Sequence, residues 1–164
     1  MTAHARGLMA EVLFAEALWR SASDTELYGP RHPLVDVGSV ERDMMVDVKL
    51  ARRLVQRISA GEPEECVEWR GAARDEQARP GVTHFALVGI ADDAQLRVED
   101  DPTGILRFAG TAATEFIYLV PRDVVNDASP VWLSSGTPGR GLYRHLPIAV
   151  AARYEFPGVT RELR

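Results

Sequence analysis

One acidic residue and the only lysine of the chain stand close together, where a carboxylate and a compact ammonium could act as a pair. Asp47 and Lys49 lie two residues apart in segment 44–50, whose alternating apolar residues predict a β-strand. Because successive side chains point to opposite faces of a strand, Asp47 and Lys49 share one face. The other basic residues, among 19 Lys and Arg, are all arginine. Lysine differs from arginine in its compact ammonium and movable pKa, so this position indicates a chemical role; a chance surface lysine is the alternative.

Asp36 lies in the short apolar segment 34–37, which predicts a second strand. The residues between the two segments predict a turn, so the strands form a β-hairpin. If the turn is centred between Glu41 and Arg42, Asp36 faces Asp47, and their Cβ atoms lie about 4.5–5.5 Å apart. Two carboxylates this close repel each other unless a cation lies between them, and hard divalent cations bind carboxylate oxygens. A register slip of one residue would place them on opposite faces, and Asp36 would then only end a strand.

A third acid, Glu11, lies within a predicted helix over residues 5–21. Apolar residues recur there at helical spacing: Leu8, Val12, Ala15, Leu18 and Trp19. Glu11 falls inside this stripe, where a carboxylate is costly unless it is paired or binds a cation. The alternative is that Glu11 flanks the stripe and reaches solvent.

Arginines are frequent after the lysine. Six lie between residues 52 and 79, at positions 52, 53, 57, 70, 74 and 79. Arg52, Arg53 and Arg57 follow the Asp47–Lys49 segment directly and are candidate nucleic-acid contacts, since arginine binds phosphate. Glutamates and aspartates are interleaved with them, so a solvated surface of mixed charge is the favoured interpretation of the whole stretch.

Several further segments predict secondary structure. Residues 83–90 form a near-continuous apolar run, which is typical of a buried central strand. Segments 105–108 and 115–120 predict two more strands, and residues 72–79 a short helix. Residues 51–59 either continue the preceding strand or form a helix.

Length and composition predict one soluble domain over residues 1–164. There is no run of 18 or more apolar residues, and the N-terminal stretch lacks the layout of a signal peptide. A single cysteine excludes an internal disulfide and a multi-cysteine metal site, so we expect a cytoplasmic protein without a membrane partner. The net charge of −5 argues against a generic polyanion binder.

The order of these features resembles the PD-(D/E)xK nuclease superfamily, which includes many restriction endonucleases, Holliday-junction resolvases and repair nucleases. Glu11 is similar to the helical Glu of that family, and Asp36 to its lone Asp. The tripeptide Asp47-Val48-Lys49 is similar to its acid-x-Lys motif. The resemblance covers roughly residues 5–90, and Val35 stands where the family often has proline.

The resemblance implies an α/β (α+β) domain with a central mixed β-sheet flanked by helices. It implies a metal-dependent nuclease that hydrolyses phosphodiester bonds of nucleic acid, with DNA as the expected substrate and Mg²⁺ or Mn²⁺ as the cofactor. Asp36, Asp47 and the Val48 carbonyl would hold the ion. Glu11 would hold a second ion or a coordinated water, and Lys49 would orient the attacking water or stabilise the transition state. A homodimer is also expected, because many members pair two active sites to cut two strands.

Two other classes of function remain open from the sequence. A nuclease-like domain can bind nucleic acid or a protein partner without cutting. In a purely structural α/β protein, Asp47 and Lys49 would form an ordinary surface ion pair. Because a lysine at a strand end contributes little packing, we expect the Lys49→Ala variant to fold normally.

Overall fold

The computed structural model describes residues 2–28, 35–57, 62–71, 81–91, 97–100, 106–129, 133–134 and 142–163. Within these ranges the helices are α1 (Ala3–Trp19), α2 (Arg122–Ala128) and α3 (Ile148–Ala151), with a 3-10 helix at Ala152–Tyr154. The strands are β1 (Glu26–Leu27), β2 (Val37–Ser39), β3 (Met44–Arg57), β4 (Pro63–Gly71), β5 (His84–Ile90), β6 (Arg97–Asp100), β7 (Leu106–Pro121), β8 (Leu133–Ser134), β9 (Leu142–Pro147) and β10 (Thr160–Leu163).

The described strands form a mixed sheet in the order β10-β7-β5-β3-β4-β9-β8. Strand β2 pairs with β3 and β1, and β6 pairs with β7. Strands β3 and β5 run parallel, whereas their other neighbours pair antiparallel. Helix α1 packs on one face of the sheet, and residues of α2 and α3 belong to the core on the other face. The prediction of an α/β chain with a central mixed sheet is therefore confirmed, and its likeness to restriction endonucleases stays a prediction.

The strands are longer than the sequence patterns predict. Segment 51–59, for which strand and helix were both open, continues β3 as far as Arg57. The two strands expected at 105–108 and 115–120 are one strand, β7, because residues between them also pair, with β10. Segment 83–90 matches β5, which lies between β3 and β7 and is buried from Phe85 onwards. The helix expected at 72–79 falls outside the described residues.

The hairpin before β3 lies slightly later than predicted. The strand expected at 34–37 begins at Val37 and continues to Ser39, and residue 34 lies outside the described part of the chain. The turn is correspondingly shorter, and Asp43 adopts a positive φ of 52° at its end. Aspartate tolerates this left-handed conformation better than most residues, because its short polar side chain can hydrogen-bond locally. The shortened turn keeps its predicted centre.

Helix α1 fixes the distance between Glu11 and the sheet. Thr2 caps its N-terminus by accepting a hydrogen bond from the Ala5 N–H at 3.2 Å. Leu13 and Phe14 are fully buried against the sheet face that carries Val46. Burial of each such side chain stabilises the fold by about 1.5–3 kcal/mol. Neither α1 nor another described helix has the length and hydropathy to cross a lipid bilayer.

Candidate active site

Strand β3 changes partners along one edge, and the candidate site lies where it does so. On that edge β2 pairs with residues 44–46 and β4 pairs with residues 51–57. Strand β5 pairs with residues 46–50 on the opposite edge, so that β3 lies between β5 and β4. Among the described residues, no strand pairs with residues 47–50 on the first edge. This gap allows side chains from both faces of the sheet to meet at the strand edge.

Asp36 lies at the β2 side of the gap. The pairs Val37–Val46 and Gly38–Met45 place the hairpin centre between residues 41 and 42, as predicted, so the next position brings Asp36 opposite Asp47. The backbone N–H of Asp36 donates to the Val46 carbonyl at 3.0 Å. Its carboxylate Oδ2 accepts a hydrogen bond from the backbone N–H of residue 48 at 2.8 Å. The predicted register is confirmed, and Asp36 takes the place of a strand partner at the gap.

The two aspartates are close enough to perturb each other. Burial, followed by the negative charge of Asp47, raises the pKa of Asp36 to about 6. The N–H of Val48 and the ammonium of Lys49 act in the opposite direction, and a hydrogen bond between the two aspartate side chains adds to the increase. Asp36 is therefore a carboxyl group that ionises at a higher pH than an exposed aspartate.

Lys49 is bound to the more deeply buried aspartate. Its Nζ lies 2.9 Å from Oδ1 of Asp47, and the exposed fractions of the two side chains are 16% and 2%. This is not the ordinary surface ion pair of a purely structural protein. Removing one partner of a buried ion pair typically costs about 3–5 kcal/mol, because it leaves a buried charge without compensation. The premise of a strand-end lysine with little packing is wrong, because Lys49 lies within β3 and is largely buried, so we now expect Lys49→Ala to lose stability.

Glu11 approaches the same gap from α1. Burial raises its pKa to about 7, and the negative charges of Asp36 and Asp47 add to the increase, whereas Lys49 opposes it. Glu11 is partly buried and within range of the charges of Asp36, Asp47 and Lys49, which favours the predicted place at the site over a glutamate that simply reaches solvent. The structure therefore brings together all four residues predicted from the sequence, within range of one another's charges.

The three acids at the gap do not approach one another equally closely. Within the described ranges, no three His, Cys, Asp or Glu side chains are arranged as a metal-binding group. The contacts given above bring Asp36 and Asp47 closest together, and Glu11 acts on them through its charge. Three carboxyl groups nevertheless face a single lysine, which leaves an excess of negative charge at the gap.

The three candidate arginines do not form one surface. Arg52 and Arg53 are adjacent on β3 and point to opposite faces. The guanidinium of Arg52 binds Glu68, with Nε 2.8 Å and Nη2 2.6 Å from Oε1. Arg53 donates to the Tyr118 hydroxyl at 2.6 Å and lies 4.8 Å from the centroid of the Phe116 ring. The side chain of Arg57 lies outside the described part of the structure.

A second polar cluster escaped the sequence analysis. Glu68 on β4 lies opposite His145 on β9, and His145 Nε2 is 2.6 Å from Glu68 Oε2. Both side chains are largely buried. The two residues are 77 positions apart in the chain, and the histidines show no ligand spacing, so only the β4–β9 pairing reveals the contact. The Glu68 carboxylate thus joins β3, through Arg52, to β9.

Comparison with known proteins identifies no relative of this chain. No family model, no curated protein and no solved structure matches the chain. Functional inference therefore depends on the residues at the gap and on the contacts around them.

Proposed function

We propose that this protein is a metal-dependent nuclease of the PD-(D/E)xK type, which hydrolyses phosphodiester bonds of nucleic acid, with DNA as the expected substrate. The observation that carries the proposal is the convergence of Glu11, Asp36, Asp47 and Lys49 at the gap in strand pairing along β3. These residues come from α1, from the start of the hairpin and from β3. A structural ion pair alone would not need the other two acids beside it.

The residues fit a divalent cation. Glu11 and Asp36 have raised pKa values because burial and mutual repulsion outweigh the effect of Lys49. A hard divalent ion such as Mg²⁺ or Mn²⁺ prefers carboxylate and carbonyl oxygens and would offset this repulsion. We assign Asp36, Asp47 and the Val48 carbonyl as its ligands. When bound, such an ion would lower the pKa of a coordinated water and offset charge on the phosphoryl oxygens.

Lys49 would act on the water or on the phosphoryl group. Its ammonium is held by Asp47, so its position is fixed before substrate binds. A positioned cation stabilises negative charge that develops in a phosphoryl-transfer transition state, and it does so without reorganisation. The ion pair also lowers the cost of burying the Asp47 carboxylate.

Glu11 would hold a second ion or accept a hydrogen bond from the attacking water. It approaches from the helix side of the sheet, whereas Asp47 and Lys49 share the other side of β3. Water held between them would therefore contact groups from both faces. This arrangement assigns one role to each of the four side chains.

The test is cleavage of single- and double-stranded DNA and RNA by the purified protein. We expect hydrolysis with Mg²⁺ or Mn²⁺, none with EDTA, and a loss of at least about 10²-fold in the Asp47→Asn variant. Asp123→Asn is a matched control, because its side chain is 88% exposed and lies on α2. Thermal unfolding of each variant separates loss of activity from loss of fold.

Absence of cleavage by the wild-type protein on all these substrates would contradict the proposal. Nucleic-acid binding without cleavage would then favour the second function, a nuclease-like domain that binds without cutting. A homodimer remains a further prediction, and light scattering that gave a monomer mass at high protein concentration would contradict it.

A further inference from the structure

A small pocket lies beside the gap, on the α1 side of β3. Its volume is about 160 Å³, and the residues that line it include Arg6, Leu50, Arg52, Glu68, Arg70 and Tyr143. Leu50 follows Lys49 directly in β3, and Arg6 lies on α1 ahead of Glu11. The pocket therefore follows Lys49 along β3 and lies on the face that Glu11 approaches, although none of the four residues of the candidate active site lines it.

The wall of the pocket is rich in cations. Among the described residues that line it, three are arginines and one, Glu68, is a carboxylate. Both oxygens of that carboxylate are engaged, Oε1 by Arg52 and Oε2 by His145. Arg70 is exposed, and within the described ranges it contacts no acidic partner. The described lining thus offers guanidinium donors, and the charge of the exposed Arg70 is available to a ligand.

The size of the pocket indicates what kind of group would enter it. Pockets that hold a whole drug-sized molecule measure about 300–1,000 Å³. A volume of about 160 Å³ suits one group of a larger ligand. Arginine forks match the oxygens of phosphate, and the Tyr143 hydroxyl adds a neutral donor.

We propose that this pocket binds one phosphate group of a nucleic acid, next to the site of hydrolysis. The identification of the ligand as nucleic acid rests on the proposed function. The inference that a phosphate group binds here rests on the size of the pocket and on the arginines that line it, Arg6, Arg52 and Arg70. Glu68 acts as a positioning residue, since its contacts with Arg52 and His145 fix the guanidinium at the pocket wall. The phosphate is either the terminal group of a strand or an internal phosphodiester.

The experiment measures binding rather than cleavage. Fluorescence anisotropy in EDTA would follow single-stranded DNA labelled at its 3′ end and carrying either a 5′-phosphate or a 5′-hydroxyl. We expect the double variant Arg6→Gln/Arg70→Gln to bind about ten-fold to a hundred-fold more weakly than wild type. The slope of log affinity against log salt should decrease in magnitude by about 0.7–1, as for the loss of one phosphate contact.

The matched control is Arg20→Gln/Arg161→Gln. It removes the same charge from two exposed arginines that contact Glu16, away from the pocket. We expect this control to retain the wild-type salt slope. Equal loss of affinity in both double variants would contradict phosphate binding in this pocket and would indicate a general effect of net charge. Arg70→Gln alone should weaken binding several-fold, and this exposed position provides the same test if Arg6→Gln impairs folding.

The two oligonucleotides identify the source of the phosphate. If only the 5′-phosphorylated strand loses affinity in Arg6→Gln/Arg70→Gln, the pocket binds a terminal phosphate. If both strands lose affinity equally, it binds an internal phosphodiester. A wild-type protein that shows this arginine-dependent binding and yet cleaves nothing would contradict the proposed nuclease activity and support the pocket.

Discussion

The carboxylate of Asp36 accepts a hydrogen bond from the backbone N–H of Val48, at 2.8 Å, across the edge of β3 where strand pairing is interrupted. The bond holds Asp36 beside Asp47 even though Asp36 itself precedes β2. It also orients the peptide group next to the Val48 carbonyl, which is the third proposed metal ligand. Local backbone geometry thus fixes two ligands of the proposed site at once.

Asp36→Asn tests whether this carboxylate binds metal. The amide is similar in size and its oxygen can still accept the bond from Val48, so we expect the variant to fold. It lacks the negative charge that attracts a divalent cation, so its affinity for Mg²⁺ should fall at least about ten-fold. Isothermal titration calorimetry of wild type and Asp36→Asn measures this. Unchanged Mg²⁺ affinity would remove Asp36 from the proposed ligand set.

Stability should depend on pH in a direction set by the same acids. The pKa values of Asp36 and Glu11 rise from 3.8 and 4.5 to about 6 and about 7 on folding. The folded state therefore holds these protons more tightly than the unfolded state. The resulting stabilisation is complete below about pH 4 and is lost as the pH rises through about 6 to 7. Without divalent ions, we therefore expect the unfolding temperature of the protein to fall as the pH rises over that window, because these two groups lose their protons.

Two comparisons isolate this effect. Glu11→Gln should show a shallower decline of the unfolding temperature between about pH 5 and pH 8, because the variant cannot ionise at position 11. Glu162→Gln, at an exposed position of β10, should follow wild type. Mg²⁺ added at pH 8 should raise the unfolding temperature of wild type, as a ligand bound only by the folded state does. A stability that rises with pH in wild type relative to Glu11→Gln would contradict the assignment.

Buried Arg144 is predicted to stabilise the fold without a role in the site. Its guanidinium donates to the carbonyls of Val125 and Ser129 at the end of α2 and approaches Asn126. Arg144→Met would remove the guanidinium donors from both carbonyls, although the Val125 carbonyl would keep the Ser129 N–H, at a cost of about 1–3 kcal/mol in the free energy of unfolding. Urea denaturation measures this. Arg153→Met, at an exposed position, should change the free energy by less than about 0.5 kcal/mol.

The sequence predicted the part of the site that depends on local geometry. Alternation along a strand is enough to place Asp47 and Lys49 on one face, and the centre of a short turn is enough to place Asp36 opposite Asp47. Helical spacing identified Glu11 as an acid on a largely apolar face. Each of these inferences needs only a few consecutive residues.

Long-range pairing explains what the sequence could not predict. The gap at residues 47–50 exists because β4 takes over from β2 along β3, and no local pattern encodes where that change occurs. Glu68 meets His145 only because β9 pairs with β4. The burial of Asp47 likewise depends on neighbours outside its own strand, and for this reason the lysine was expected to be structurally dispensable.

Lys49→Arg tests the role of the solitary lysine more cleanly than Lys49→Ala. Arginine keeps a positive charge beside buried Asp47, so it avoids the uncompensated charge that alanine would leave. Its guanidinium is larger and planar, and it directs its donors in a fixed fork, so it cannot reproduce a compact ammonium. We therefore expect a folded protein that binds Mg²⁺ but does not cleave efficiently.

The most direct measurement is the single-turnover rate of Mg²⁺-dependent DNA cleavage by wild type and Lys49→Arg, with unfolding temperatures recorded in parallel. The account predicts cleavage by wild type and a rate about 10²–10⁴-fold lower in Lys49→Arg, at nearly unchanged stability. Full activity in Lys49→Arg would show that any positive charge suffices at this position. No Mg²⁺- or Mn²⁺-dependent cleavage by wild type would contradict the assignment of Glu11, Asp36, Asp47 and Lys49 as a nuclease site.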